Sequence, residues 1–130
     1  ICESFIKRRA IRHLEKNRII ILAAGTGNPY FSTDTAATLR AAEMNCDVLF
    51  KGTSVDGVYE SDPKLNPNSK KYSTISYKKL LEDNLKVMDS SAITLARDNN
   101  IPMVVFSILE ESSFVKAVNA EEPYTIISEK

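Results

Sequence analysis

The sequence predicts an α/β fold built on an open, mostly parallel sheet, and three observations carry that prediction. Apolar runs within Ile19–Ala24, Asp47–Lys51 and Met103–Ile108 have the length and makeup of buried strands. Segments between them place apolar residues at helical spacing. The first run ends in Gly25-Thr26-Gly27 and is followed by Ser32-Thr33-Asp34, a glycine turn leading into helix-capping chemistry.

Taken in order, residues 3–17 carry Ile6, Ala10, Ile11 and Leu14 on one helical face and Lys7, Arg8, Arg9 and Arg12 on the others. That basic cluster reads as a solvated face, a phosphate-binding patch being its alternative, with His13 exposed among the charges. Asn17 and Arg18 end the helix and lead into the strand at 19–24. A helix from Thr33 to about Asn45 follows, packing through Ala37, Ala41 and Met44, and then the strand at 47–51, closed by Gly52-Thr53. This strand–helix–strand unit is expected to form a right-handed parallel crossover. Asp56-Gly57 within Val55–Tyr59 has the composition of a hairpin turn, and Glu60–Ser69 that of a surface loop. Lys71–Ser73 returns as a short strand. Ser76 caps a short helix through Leu81, and a helix over 88–99 packs through Met88, Ala92, Leu95 and Ala96. Pro102 follows its end. The strand at 103–108, a helix over 112–119 and a closing strand at 124–128 complete the chain.

At 130 residues the length suits one domain. Seventeen basic and seventeen acidic residues cancel, so no global field recruits nucleic acid or a membrane surface. No apolar stretch approaches the ~18 residues of a membrane span, and no signal-peptide pattern opens the chain. Cys2 and Cys46 are too few for a disulfide framework and, with His13 alone beside them, for a metal site. They read as free thiols in a reducing, cytoplasmic setting, with Cys46 buried at a strand start.

The turn after the first apolar run carries the chemistry. Strand, glycine turn and helix N-terminus aim backbone N–H groups and the positive end of a helix dipole at an anion. The third glycine of a dinucleotide fingerprint is absent, Tyr30 standing in its place, and no Gly-Lys-Ser/Thr follows, so this is not a P-loop. An ordinary βα connection with an N-cap remains an alternative. Against it stand the hydrogen-bonding side chains of Thr26, Asn28, Ser32 and Thr33. Asn28 is held extended by Pro29 and offers the donor and acceptor that a base edge requires.

Gly25-Thr26-Gly27-Asn28-Pro29-Tyr30-Phe31-Ser32-Thr33-Asp34-Thr35-Ala36-Ala37 closely resembles the uridylate-binding segment of the bacterial UMP kinases, within the amino acid kinase superfamily. Lys51-Gly52-Thr53-Ser54-Val55-Asp56-Gly57-Val58-Tyr59-Glu60-Ser61-Asp62-Pro63 resembles their ATP-binding segment. Leu85-Lys86-Val87-Met88-Asp89 is a third match in the same order. The resemblance runs from about Ile19 to the C-terminus. It implies a three-layer sandwich with helices on both faces of the sheet. Family members are nearly twice this length and carry a Gly-rich loop with a phosphate-binding lysine in their N-terminal half. Residues 1–130 therefore read as one partial domain, the C-terminal nucleotide-binding half.

The implied reaction moves the γ-phosphoryl of ATP to the phosphate of UMP. The attacking oxygen is already anionic at neutral pH, so no general base is needed, and alignment and charge neutralisation carry the rate. By resemblance, Thr26, Gly27, Asn28, Pro29, Tyr30, Phe31, Ser32 and Thr33 line the UMP site, Thr26 and Asn28 toward uracil and Thr33 toward phosphate. Asp34 matches the superfamily's buried aspartate that orients phosphate-binding lysines. Helix capping by Thr33 and a dipole-stabilised Asp34 are the simpler alternatives. Thr53, Tyr59 and Asp62 are placed at ATP, Tyr59 standing where many family members have Phe; a half-buried hairpin residue is its alternative. Asp56 is expected to shape its turn and Asp89 to cap a helix, a place near the triphosphate being the alternative for Asp89; Lys51 and Lys86 are the cations best placed for phosphates, with snorkelling side chains as their simpler reading.

Mg²⁺ is implied as an ion borne by ATP, with no protein cage. The resemblance further suggests a homo-hexamer with nucleotide effectors, Arg18 being a candidate contact. Without the N-terminal half, the chain alone is expected to be inactive. Other amino acid kinases lack the Thr-Gly-Asn-Pro-aromatic-aromatic segment. A non-catalytic nucleotide-binding relative, such as a molybdenum storage protein, is the alternative of a different class, and a stand-alone interaction module is another.

Overall fold

Met103–Ser107 is buried along its whole length, and the layers form on either side of it. The structure, a computed structural model, describes residues 2–129. In chain order the elements are α1 (Lys7–Leu14), α2 (Thr33–Glu43), β1 (Leu49–Thr53), β2 (Val58–Tyr59), β3 (Lys71–Tyr72) and β4 (Thr74–Ile75). They continue with α3 (Tyr77–Glu82), α4 (Ser90–Asp98), β5 (Met103–Ser107), α5 (Ser113–Val118) and β6 (Thr125–Ile127). The main sheet has the order β1-β5-β6-β4, and β2 and β3 form a separate ribbon. β1 runs parallel to β5 and β4 parallel to β6, while β5 and β6 are antiparallel.

Period-two alternation in β5 sends its side chains to two cores. Met103 and Val105 join Val58, Ile75, Tyr77, Leu80, Met88, Ala92, Ile93, Ala96 and Ile127 on the face covered by α3 and α4. Val104 and Phe106 pack with Ala117 of α5 on the other face. Helices therefore lie on both sides of a mostly parallel sheet, which is the predicted architecture. Tyr77 is buried, and its hydroxyl donates to the Ile101 carbonyl, so its polar end has a partner.

Three of the helices start and stop as their sequences dictate. Ser32, Ser76 and Asp89 each accept hydrogen bonds from free amides in the first turn of α2, α3 and α4. Asn45, Asn84 and Asn100 end the same three helices at positive φ. In each case the next residue's N–H reaches back to the last turn, as in Cys46 N–H to the Ala41 carbonyl.

Several expectations need correction. Residues 19–24 form no strand; Ile19 and Ile21 are almost fully exposed, and no described strand pairs with them. An apolar run signals burial, but a strand also needs a neighbour's N–H and C=O groups. The crossover expected from this segment through α2 to β1 is consequently not formed. Asp56-Gly57 is not a hairpin turn: β2 pairs with β3 across the long loop of residues 60–70. Ala37 faces outward, and Thr35, Ala36, Thr38 and Ala41 form the buried stripe of α2. Cys46 is half-buried rather than buried, and His13 is half-buried beside Arg18.

Candidate active site

Asp89 is the junction of the site. It caps α4 by accepting the Ala92 N–H at 2.8 Å. The same carboxylate accepts the Thr35 hydroxyl at 2.9 Å and the hydroxyl of Ser32. Ser32 in turn caps α2 through the N–H groups of Asp34 and Thr35 at 3.1 and 3.2 Å. The N-termini of α2 and α4 are thereby tied together, and both present the positive ends of their dipoles to one region. Burial alone would push the Asp89 carboxyl up. Hydrogen bonds from Ser32, the Ala92 N–H and Thr35 outweigh it and hold the group below its ordinary range.

Asp34, in the first turn of α2, forms an ion pair with Lys51 of β1. Lys51 and Thr53 are two residues apart on one strand and so share a face. Asp34 lines a cleft of about 410 Å³ with Lys86, Val87, Met88, Asp89 and Ser90. A second cleft, about 490 Å³, is lined by Thr53, Tyr59, Asp62 and Lys86 among others. Each has the capacity of a small-molecule site. Asn84–Val87 contribute to both, so the two clefts share a wall.

The three residues predicted for ATP thus meet in one cleft, and Asp34 stands in its neighbour. Within the first, Tyr59 donates to Asp56 Oδ1 at 2.6 Å and Lys71 donates to Asp56 Oδ2 at 2.9 Å. The Asp56 carboxylate draws the Tyr59 hydroxyl up to about 12. Asp56 therefore ties the segment ahead of β2 to both strands of the ribbon, where the sequence suggested a hairpin turn. Asp62 accepts the Lys64 N–H at 2.9 Å and so starts the turn of the 60–70 loop.

The loop predicted for UMP is placed differently. Ala24, Gly25, Gly27 and Tyr30 all have positive φ, which glycine tolerates and the other two do not readily adopt. The Asn28 N–H bonds to Thr26 Oγ1 at 3.1 Å. Tyr30 is fully exposed and Phe31 largely so. None of Thr26–Thr33 lines either cleft; the loop lies on the surface and reaches the site through Ser32, bonded to Asp89, and through Thr33, which precedes Asp34 in the first turn of α2. Local turn chemistry gives it a shape, and Gly25 at its start lines a third cleft, with Arg9 and Arg40 among the other lining residues. Arg18 Nη1 donates to His13 Nδ1 at 3.0 Å and borders that third cleft, beside α1.

Sequence reasoning singled out Lys51 and Asp34 separately but missed their pairing, and it saw Asp89 as a cap without its links to α2. Both connections span distant stretches of chain. The alternation that puts Lys51 and Thr53 on one face of β1 was the available signal.

Comparison with known proteins places these features in a family. The profile of the amino acid kinase family matches residues 2–107. The chain is 60% identical over 127 residues to uridylate kinase of Erythrobacter litoralis, covering 98% of this chain and 53% of that protein. It is 56% identical over 129 residues to uridylate kinase of Rickettsia felis, covering 99% of this chain and 53% of that one. It superposes on the crystal structure of UMP kinase from Ureaplasma parvum with a TM-score of 0.92 at 41% identity, over 97% of this chain and 54% of that one. The chain spans about half the length of the curated relatives it matches.

Proposed function

Because the chain belongs to the amino acid kinase family, we propose that it forms the C-terminal, nucleotide-site half of a UMP kinase acting in the cytoplasm. The reaction is transfer of the γ-phosphoryl of ATP to UMP. A non-bridging phosphate oxygen of UMP bonds to the γ-phosphorus, the bond to the β,γ-bridging oxygen breaks, and UDP and ADP leave. The observation that carries this reading is the adjacency of two clefts across the Asn84–Val87 wall. One holds Thr53, Tyr59 and Asp62, and the other holds Asp34 beside the Lys51 that it pairs.

In this reading Tyr59 presents its ring to adenine and Asp62 accepts from the base or ribose. Thr53 sits at the end of β1, at the carboxyl edge of the sheet where ligands of open α/β folds bind. Asp34 holds Lys51 in place, so that a cation stands at the junction where charge spreads over the transferred group. Lys86, in the shared wall, is the second cation within reach of both clefts. The Thr26–Thr33 loop binds UMP, its Ser32 end fixed by Asp89. No proton must be abstracted, so the lack of a His-based constellation around these residues suits the chemistry.

Mg²⁺ accompanies ATP. Among the described residues no three His, Cys, Asp or Glu side chains converge as a cage. In this proposal the ion keeps its waters and rides on the triphosphate. No helix among the described residues is long and apolar enough to cross a membrane. A homo-oligomer, a hexamer on the family pattern, belongs to the same proposal.

The test is UMP-dependent ADP formation by the full-length protein. Turnover with UMP supports the assignment. Tight ATP binding without any UMP turnover points instead to a non-catalytic relative.

A further inference from the structure

Tyr59 is tied to the molecule through its hydroxyl as well as its backbone. The hydroxyl donates to one oxygen of Asp56, and the other oxygen accepts from Lys71. Lys71 lies directly opposite Tyr59 in the β2–β3 ladder. The three side chains therefore close a ring across both strands and the turn that precedes them. The ribbon needs such ties, because strands of two residues pairing only with each other have little stability of their own. Its backbone is anchored separately. The fully buried Thr125 of β6 accepts the Val58 N–H at 2.9 Å and donates to the Tyr72 carbonyl.

We propose that Asp56 is a positioning residue which, through the Tyr59 hydroxyl, fixes the aromatic ring as a preformed wall of the nucleotide cleft. The proposal rests on the reading that this cleft holds ATP. A phenylalanine offers the same face without the tether, free to exchange among its rotamers. A ring already ordered spares the ligand the cost of ordering it. Burial works against ionisation of Asp56, but the bonds from Tyr59 and Lys71 keep its carboxyl below the ordinary range, so the acceptor is charged at neutral pH.

The experiment is steady-state kinetics of the full-length enzyme carrying Tyr59→Phe, Asp56→Ala or both, with thermal melts confirming that each variant is folded. Each single change is expected to raise the KM for ATP about three- to tenfold, the scale of one lost hydrogen bond. kcat and the KM for UMP should stay within about twofold of the parent. The double variant should be no worse than the more impaired single one, because both break the same link. Asp56→Asn, which keeps an oxygen acceptor, should recover most of the loss. Folded variants with unchanged KM for ATP, or effects that multiply in the double variant, would overturn the proposal. Tyr59→Ala separates the two layers of the argument. If it leaves the KM for ATP unchanged, the nucleotide reading of the cleft has failed. If it raises KM while Tyr59→Phe and Asp56→Ala do not, only the positioning role has failed.

Discussion

Thr35 Oγ1 stands 2.9 Å from Asp89 Oδ1, although fifty-four residues separate them in the chain. That contact fastens the start of α2 to the start of α4, and with it the end of the Thr26–Thr33 loop to the wall of the Asp34 cleft. Removing the carboxylate leaves the Ala92 N–H and two hydroxyls without their acceptor. Asp89→Ala is expected to destabilise the fold by about 1–3 kcal/mol, read as a lower urea midpoint. Asp89→Asn, which keeps one acceptor oxygen, should cost less.

The same group sets part of the acid sensitivity. The folded-state pKa values of Asp89 and Asp56 lie below those of a free carboxyl. Their contribution is therefore present above the unfolded carboxyl range near pH 4 and is lost as pH falls through the lower folded values. Urea midpoints measured from pH 7 downward should hold steady and then drop below about pH 4. In the Asp89→Ala, Asp56→Ala double variant that drop should be shallower.

Two of the five tyrosines should ionise late. Burial, with the charge of Glu129 nearby, raises Tyr77 to about 12. Tyr59 reaches about 12 through its bond to Asp56, with burial and charge adding. Both favour the protonated folded state, so their stabilising contribution is intact below about pH 10 and declines as pH rises toward 12. Ultraviolet titration of phenolate should show two delayed groups, one of which disappears in Tyr59→Phe.

These links also mark how far the sequence could be read. Helix starts at Ser32, Ser76 and Asp89 were legible because capping is local: a side chain reaches an amide two or three residues on. β5 was legible because its apolar, β-branched run comes directly after the helix stop at Pro102. The pairing of Asp34 with Lys51 and of Thr35 with Asp89 was not, since nothing local encodes which distant side chain completes a hydrogen bond. The two-residue β4 has no periodicity to detect. Ile19–Ala24 failed for a different reason: its apolar character states a need for cover without saying what supplies it. Gathering Thr53, Tyr59 and Asp62 in one cleft came from the resemblance, and composition alone would not have produced it.

Two substitutions divide the proposed roles of the α2 N-terminus. Asp34→Ala releases Lys51 from its ion pair and is expected to lower kcat about a hundredfold, the scale of losing one oriented charge at the reacting group. Thr33→Ala should instead raise the KM for UMP, with a smaller effect on kcat. Unchanged kinetics in both would leave these residues with structural roles alone in the first turn of α2, whose cap is Ser32.

Amide hydrogen exchange of the full-length protein, with ATP and UMP added separately, tests the central claim most directly. ATP is predicted to slow exchange in residues 53–62 and 84–87, and UMP in residues 25–35, with the two protected regions meeting at Asp34 and Asp89. Protection by ATP confined to other parts of the protein, with residues 53–62 and 84–87 exchanging as before, would contradict the account.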